Sequence, residues 1–192
     1  MTLLVLGLIL FLGVHSTRIF ADGWRTATIG KLGEKPWKGV YSVVSIAAFV
    51  LLVWGFGQAR QNPVLLWTPP VAMRHVAALL MVLAFILFVA PYVPGNWFKA
   101  KLHHPQYLSV KVWAFAHLLA NGMLADVLLF GGFLAWAVLG YTAARRRDRA
   151  AGTVYAPATA KGTVIAIVVG LVAWAVFAFW LHGWLIGVKP FG

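Results

Sequence analysis

The sequence predicts an all-α fold: a polytopic transmembrane helical bundle of about six spans, with both termini on the non-cytoplasmic side. Three observations predict it. Hydrophobic residues make up 62% of the 192 and charged residues only 10%, against about 25% charged in a soluble domain. The apolar residues gather in six runs of roughly bilayer length. The basic residues are concentrated in every second connection between those runs. The length suits one compact bundle, a single domain over 1–192.

The runs follow in order. The first, at 2–20, is apolar from its second residue with no basic stretch before it. It therefore reads as a span rather than as a cleavable signal peptide. The second lies at 38–57, just past Pro36 and Trp37. The third, 69–91, opens on Pro69-Pro70 and closes on Pro91. The fourth, 106–123, follows His104-Pro105, and the fifth covers 125–143. Only Asn121-Gly122 and the residues around Asp126 separate these two, which predicts a tight hairpin broken at glycine. The sixth is 162–186. Pro63, Pro94 and Pro105 also fall near span edges, where a missing N–H is tolerated.

Charge sets the orientation. All but Arg60, Arg74 and Lys189 of the 16 Lys and Arg follow the first, third and fifth spans. Those connections then face the cytoplasm, and both termini lie outside. Trp24, Trp37, Trp67, Trp97 and Trp184 stand at span ends, as an interfacial belt requires. The segment from Arg145 to Ala160 reads as a solvated loop whose main role is topological, with anionic lipid as a lesser partner. The net charge of +12 does not indicate nucleic acid, because no separate basic module accompanies it. With no cysteine in the chain, disulfides, thiolate ligands and cysteine nucleophiles are excluded.

The polar residues inside the spans carry the functional reading. An ionisable group in a lipid-embedded helix is a functional candidate by default. His15 sits about five residues from the cytoplasmic end of the first span and His117 about ten residues into the fourth, roughly 8 and 15 Å deep at 1.5 Å per residue. Neutral imidazole is a common metal ligand, and haem iron accepts histidines from opposing elements. His15 and His117 are thus candidate ligands of one centre, with His104 and His75 as alternates. Trp113, His117 and Asn121 recur every four residues and would share one face. The ordinary alternatives are hydrogen bonds: His15 within the polar helix end His-Ser-Thr-Arg, His117 to a neighbouring helix, and His75 and His182 at the outer interface. Asp22, Glu34, Asp126 and Asp148 are the only carboxylates. Carboxylate metal clusters and paired-carboxylate hydrolysis therefore lack material. There is no glycine-rich phosphate loop.

The stretch from His104-Pro105 to Trp113-Ala114-Phe115-Ala116-His117-Leu118-Leu119-Ala120-Asn121-Gly122 resembles the NnrU family of bacterial membrane proteins. The segments His15-Ser16-Thr17-Arg18 and Tyr92-Val93-Pro94-Gly95-Asn96 fit the same pattern, so the resemblance covers nearly the whole chain. It implies a multi-pass protein of the bacterial inner (cytoplasmic) membrane associated with denitrification and nitric oxide metabolism. The family is also similar to the plant zeta-carotene isomerase, which binds haem b and isomerises a cis double bond. That likeness implies axial ligation by His15 and His117; Trp113 and Asn121, on the His117 face, are the further candidate cofactor contacts. The plant enzyme has a cysteine three residues before its second histidine, where this chain has Ala114. Arg18 is the first candidate to pair with a haem propionate.

Two functions compete with a haem-dependent isomerase of a lipophilic polyene or isoprenoid. His104-Pro105-Gln106-Tyr107 is also similar to the Arg-His-Pro-x-Tyr segment of membrane methyltransferases that use S-adenosylmethionine. Position 103 is His rather than Arg, however, and the later acidic residue is missing. The other function is a membrane assembly scaffold, with a nitric oxide reductase-related partner.

Overall fold

The structure is a computed structural model, described here for residues 1–191. Ten α-helices account for most of it, and no strand occurs among the described residues. They are α1 Thr2–His15, α2 Thr17–Phe20, α3 Asp22–Leu32, α4 Glu34–Ala59 and α5 Ala72–Val89. After these come α6 Trp97–Leu102, α7 Pro105–Ala120, α8 Leu124–Ala151, α9 Ala160–Val176 and α10 His182–Ile186. Phe177–Leu181, between α9 and α10, is π-helical.

Every predicted apolar run coincides with a helix. Four helical stretches are long and apolar enough to cross a membrane: Glu34–Ala59, Ala72–Tyr92, Leu124–Ala151 and Ala160–Ile186. Their apolar side chains face outward; Val43 is 69% and Leu79 73% exposed. A soluble chain would not leave such surface in water. The other two helices differ from the expected spans. α1 has 14 residues and α7 has 16, about 21 and 24 Å of rise against about 30 Å of hydrocarbon.

Three boundaries also differ. The first run breaks at Ser16, whose N–H bonds to the Gly13 carbonyl at 3.0 Å, so His15 is the last residue of α1 rather than a residue within a continuous helix. α8 runs on to Ala151, so Arg145 to Ala151 are helical rather than loop. Arg and Ala are strong helix formers, and hydropathy reports lipid compatibility rather than helicity. Finally, α7 stops at Ala120, leaving Asn121 outside the helix.

The chain forms two compact units, 1–68 with 121–140, and 69–120 with 141 onward. In the first, α1 packs along α4 through glycine. A Cβ on Gly55 would stand 2.4 Å from the Leu4 nitrogen, and one on Gly7 2.5 Å from the Leu52 Cα. Backbones that close are a common route to helix association in lipid, where no hydrophobic force draws helices together. Leu4, Leu8, Leu52, Ala59 and Ala125 form the core there. The turn between α7 and α8 is clasped in the same unit: Leu66 N–H donates to the Gly122 carbonyl and Leu124 N–H to the Val64 carbonyl, both at 2.9 Å.

In the second unit α5 packs on α7 and α9. Gly170 lets α9 approach Ile86, and buried Ser109 donates to the Ala84 carbonyl at 2.8 Å. The Val93-Pro94-Gly95-Asn96 turn is a joint. Asn96 caps α6 by accepting from Lys99 N–H, and its amide donates to the Ala90 and Val93 carbonyls. Thr159 N–H closes on the Gly95 carbonyl at 2.7 Å.

Candidate functional site

His15 and His117 are held by the same device. His15 Nδ1 is 2.7 Å from the Phe11 carbonyl and His117 Nδ1 2.8 Å from the Trp113 carbonyl, each four residues back on its own helix. A carbonyl only accepts, so Nδ1 carries the proton. In the neutral ring the lone pair is then on Nε2. A ring N–H on a backbone carbonyl is the usual way a ligating histidine is oriented and made more basic.

Aromatic rings surround His15. Phe11 lies at 4.2 Å between centroids, with Tyr41 edge-on at 5.5 Å and Trp136 edge-on at 6.3 Å. Trp113 stands 5.4 Å from His117. Arg18, in α2, is largely exposed, and its Nε is 3.8 Å from Asp22 Oδ1. That contact is too long for a hydrogen bond and, at this exposure, worth little.

His15, Arg18 and Asn121 belong to the first unit, and Trp113, His117, His104 and His75 to the second. Asn121 does not share a helical face with His117, because α7 has ended. His75 is exposed on α5. His182 Nδ1 donates to the Val188 carbonyl at 2.6 Å. Among the described residues no cluster of three or more His, Cys, Asp and Glu is arranged for a metal ion.

His104 has a different role. Asp148 Oδ2 accepts from His104 Nε2 at 2.8 Å, Tyr155 OH at 2.9 Å and Arg145 Nη1 at 3.1 Å. One oxygen thereby joins the α6–α7 turn, the end of α8 and the connection to α9. Tyr141 OH donates to the Leu102 carbonyl at 3.3 Å, and Lys111 Nζ sits 4.8 Å from the Tyr141 ring centre. Burial first, and then the Asp148 hydrogen bond, push the Tyr155 phenol up to about 12.

His103 is the only non-glycine described residue at positive φ, +67°. Its ring meets Tyr155 edge-on at 4.4 Å, and its Nδ1 is buried with no hydrogen-bond partner. Burial and then Arg145 lower its pKa, which keeps the ring neutral. Sequence reasoning missed Asp148, Tyr155 and Arg145 as site residues. The available signal was that Asp148 is one of four carboxylates in the chain, set among arginines. Through Nε2 on Asp148, His104 fastens these segments together.

The sequence profile described as NnrU protein matches residues 3–190. The chain belongs to the NnrU family. No curated protein matches it significantly. No solved structure does so either. The NnrU segments quoted from the sequence hold distinct places in this fold. His15-Ser16-Thr17-Arg18 ends α1 and begins α2, the Val93–Asn96 turn is the joint before α6, and Trp113 to Ala120 is the last part of α7.

Proposed function

We propose that this NnrU-family chain binds haem b in the bacterial cytoplasmic membrane, with His15 and His117 as axial ligands. One observation carries the reading: both rings give Nδ1–H to their own helix and so share the tautomer in which Nε2 offers its lone pair to iron. The donor set fits the group, since two neutral imidazoles are what a six-coordinate haem takes. A bound haem would supply electron transfer and an iron centre able to meet a π-bond or nitric oxide.

The chain's own residues do the rest. The backbone bonds of Phe11 and Trp113 hold the imidazoles in one rotamer. Phe11, Tyr41 and Trp136 keep water from His15, and Arg18 is placed to meet a propionate. The substrate class is a lipophilic polyene or isoprenoid arriving from the bilayer, which would make the protein a haem-dependent isomerase. A nitric oxide-linked role with a reductase-type partner uses the same centre.

The topology in this proposal is six crossings with both termini outside. α1 and α7 cross despite their length because α1 continues through α2, and because bilayers thin around short helices.

Purified protein in detergent should show a Soret band and a haem b pyridine haemochrome. A colourless protein from haem-replete cells overturns the proposal. Binding of S-adenosylmethionine by that colourless protein would put the methyltransferase reading in its place.

A further inference from the structure

Helix α3 is strung between α1–α2 and α4 by single residues, Ala21 before it and Gly33, at φ +87°, after it. α4 is long and apolar enough to cross a membrane, and α1 packs along it. With such short joints α3 cannot leave the surface from which α4 emerges.

No residue of α3 is buried. Trp24 is 59% and Leu32 57% exposed, with Phe20 just before them at 73%. Thr26 and Thr28 turn their hydroxyls back onto the Asp22 and Trp24 carbonyls at 2.9 and 2.8 Å, hiding those donors from the surroundings. Trp24 rests edge-on against Trp37 at 5.7 Å, and amphipathic rings of this kind settle at headgroup level.

The local acids are already engaged. Asp22 lies near Arg18, and Glu34 bonds Lys38 at 2.8 Å. Among the described residues, Arg25, Lys31 and Lys35 have no carboxylate within ion-pair distance. Three cations beside exposed tryptophan, phenylalanine and leucine, pinned at a bilayer surface, complement one partner.

We propose that α3 lies in the headgroup layer and that Arg25, Lys31 and Lys35 bind the phosphates of anionic phospholipid. Each such cation is worth about 1 kcal/mol near an anionic surface, roughly five-fold in binding. This holds whether or not the chain carries haem.

The chain has no cysteine, so Ala27→Cys offers a single labelling site on exposed α3. A bimane there is read in nanodiscs of phosphatidylcholine alone and of phosphatidylcholine with phosphatidylglycerol. The expected result is emission shifted to the blue and protected from aqueous iodide only when phosphatidylglycerol is present. Salt raised toward 1 M, where the Debye length is about 3 Å, should reverse it in the unaltered background. Combined Arg25→Gln, Lys31→Gln and Lys35→Gln substitutions should return the emission to its phosphatidylcholine value. Identical emission in the two lipids overturns the proposal and leaves a protein partner as the occupant. A shift that survives salt or the triple substitution overturns it too.

Discussion

His15 and His104 are both half-buried imidazoles at helix boundaries, yet they carry their protons on opposite nitrogens. His15 gives Nδ1–H to a carbonyl of its own helix and lies among Phe11, Tyr41 and Trp136. His104 gives Nε2–H to Asp148, whose acceptor oxygen also serves Arg145 and Tyr155. The first arrangement orients a ring and keeps Nε2 as its lone-pair atom. The second uses Nε2 to fasten three chain segments. The two rings differ in what their N–H fastens: a carbonyl of its own helix for His15, and a carboxylate shared by distant segments for His104.

The sharpest test sets these histidines against each other. His15→Ala or His117→Ala should lower haem content at least ten-fold, since even the outer partners of ligands are worth 10–100-fold in affinity. His104→Ala should leave the Soret band in place. Loss of the band in His104→Ala, with retention in the other two, would invert the comparison.

Asp148→Asn comes next. It removes the shared charge and leaves the Arg145 guanidinium without its carboxylate, for a loss of about 2 kcal/mol. A lower melting temperature in detergent, with an unchanged haem spectrum, is the expected pair of readings.

Tyr155→Phe should cost about 1 kcal/mol, one hydrogen bond, and its effect should depend on pH. The folded phenol holds its proton more tightly than the unfolded one, about 12 against 10.0. Its contribution is therefore complete below pH 10 and disappears as pH rises toward 12. The gap in melting temperature between native protein and Tyr155→Phe should close across that interval, while a constant gap would place the effect elsewhere. Arg18→Gln should have the smallest effect on stability, a few tenths of a kcal/mol for an exposed pair, as read from the same melts.

Much of the architecture was legible because lipid imposes it. Six apolar runs separated by basic connections led to helices at all six places, and the NnrU segments identified the family. The ends were less legible. Ser16 closes α1 through a backbone bond that composition does not announce, and α8 continues through charged residues because arginine and alanine favour helix. Asn121 keeps the four-residue spacing after Trp113 and His117, yet α7 ends one residue earlier. The Asp148 lock was invisible for another reason: His104 is 44 residues from Asp148 and 51 from Tyr155, and no local pattern joins them. Depth along the apolar runs and the family motifs pointed to the candidate ligands, while the lock needed tertiary structure.

The π-helical segment Phe177–Leu181 slips the winding of the last rod by one residue. His182 takes the angular slot that uninterrupted winding would give to residue 181, a swing of about 100° for everything beyond it. Residues 160–176 and 182–186 therefore obey separate helical wheels. Removing one residue from the segment would let it close into regular α-helix with Trp184 kept in its present direction, whereas straightening it at full length would turn Trp184 by about 100°.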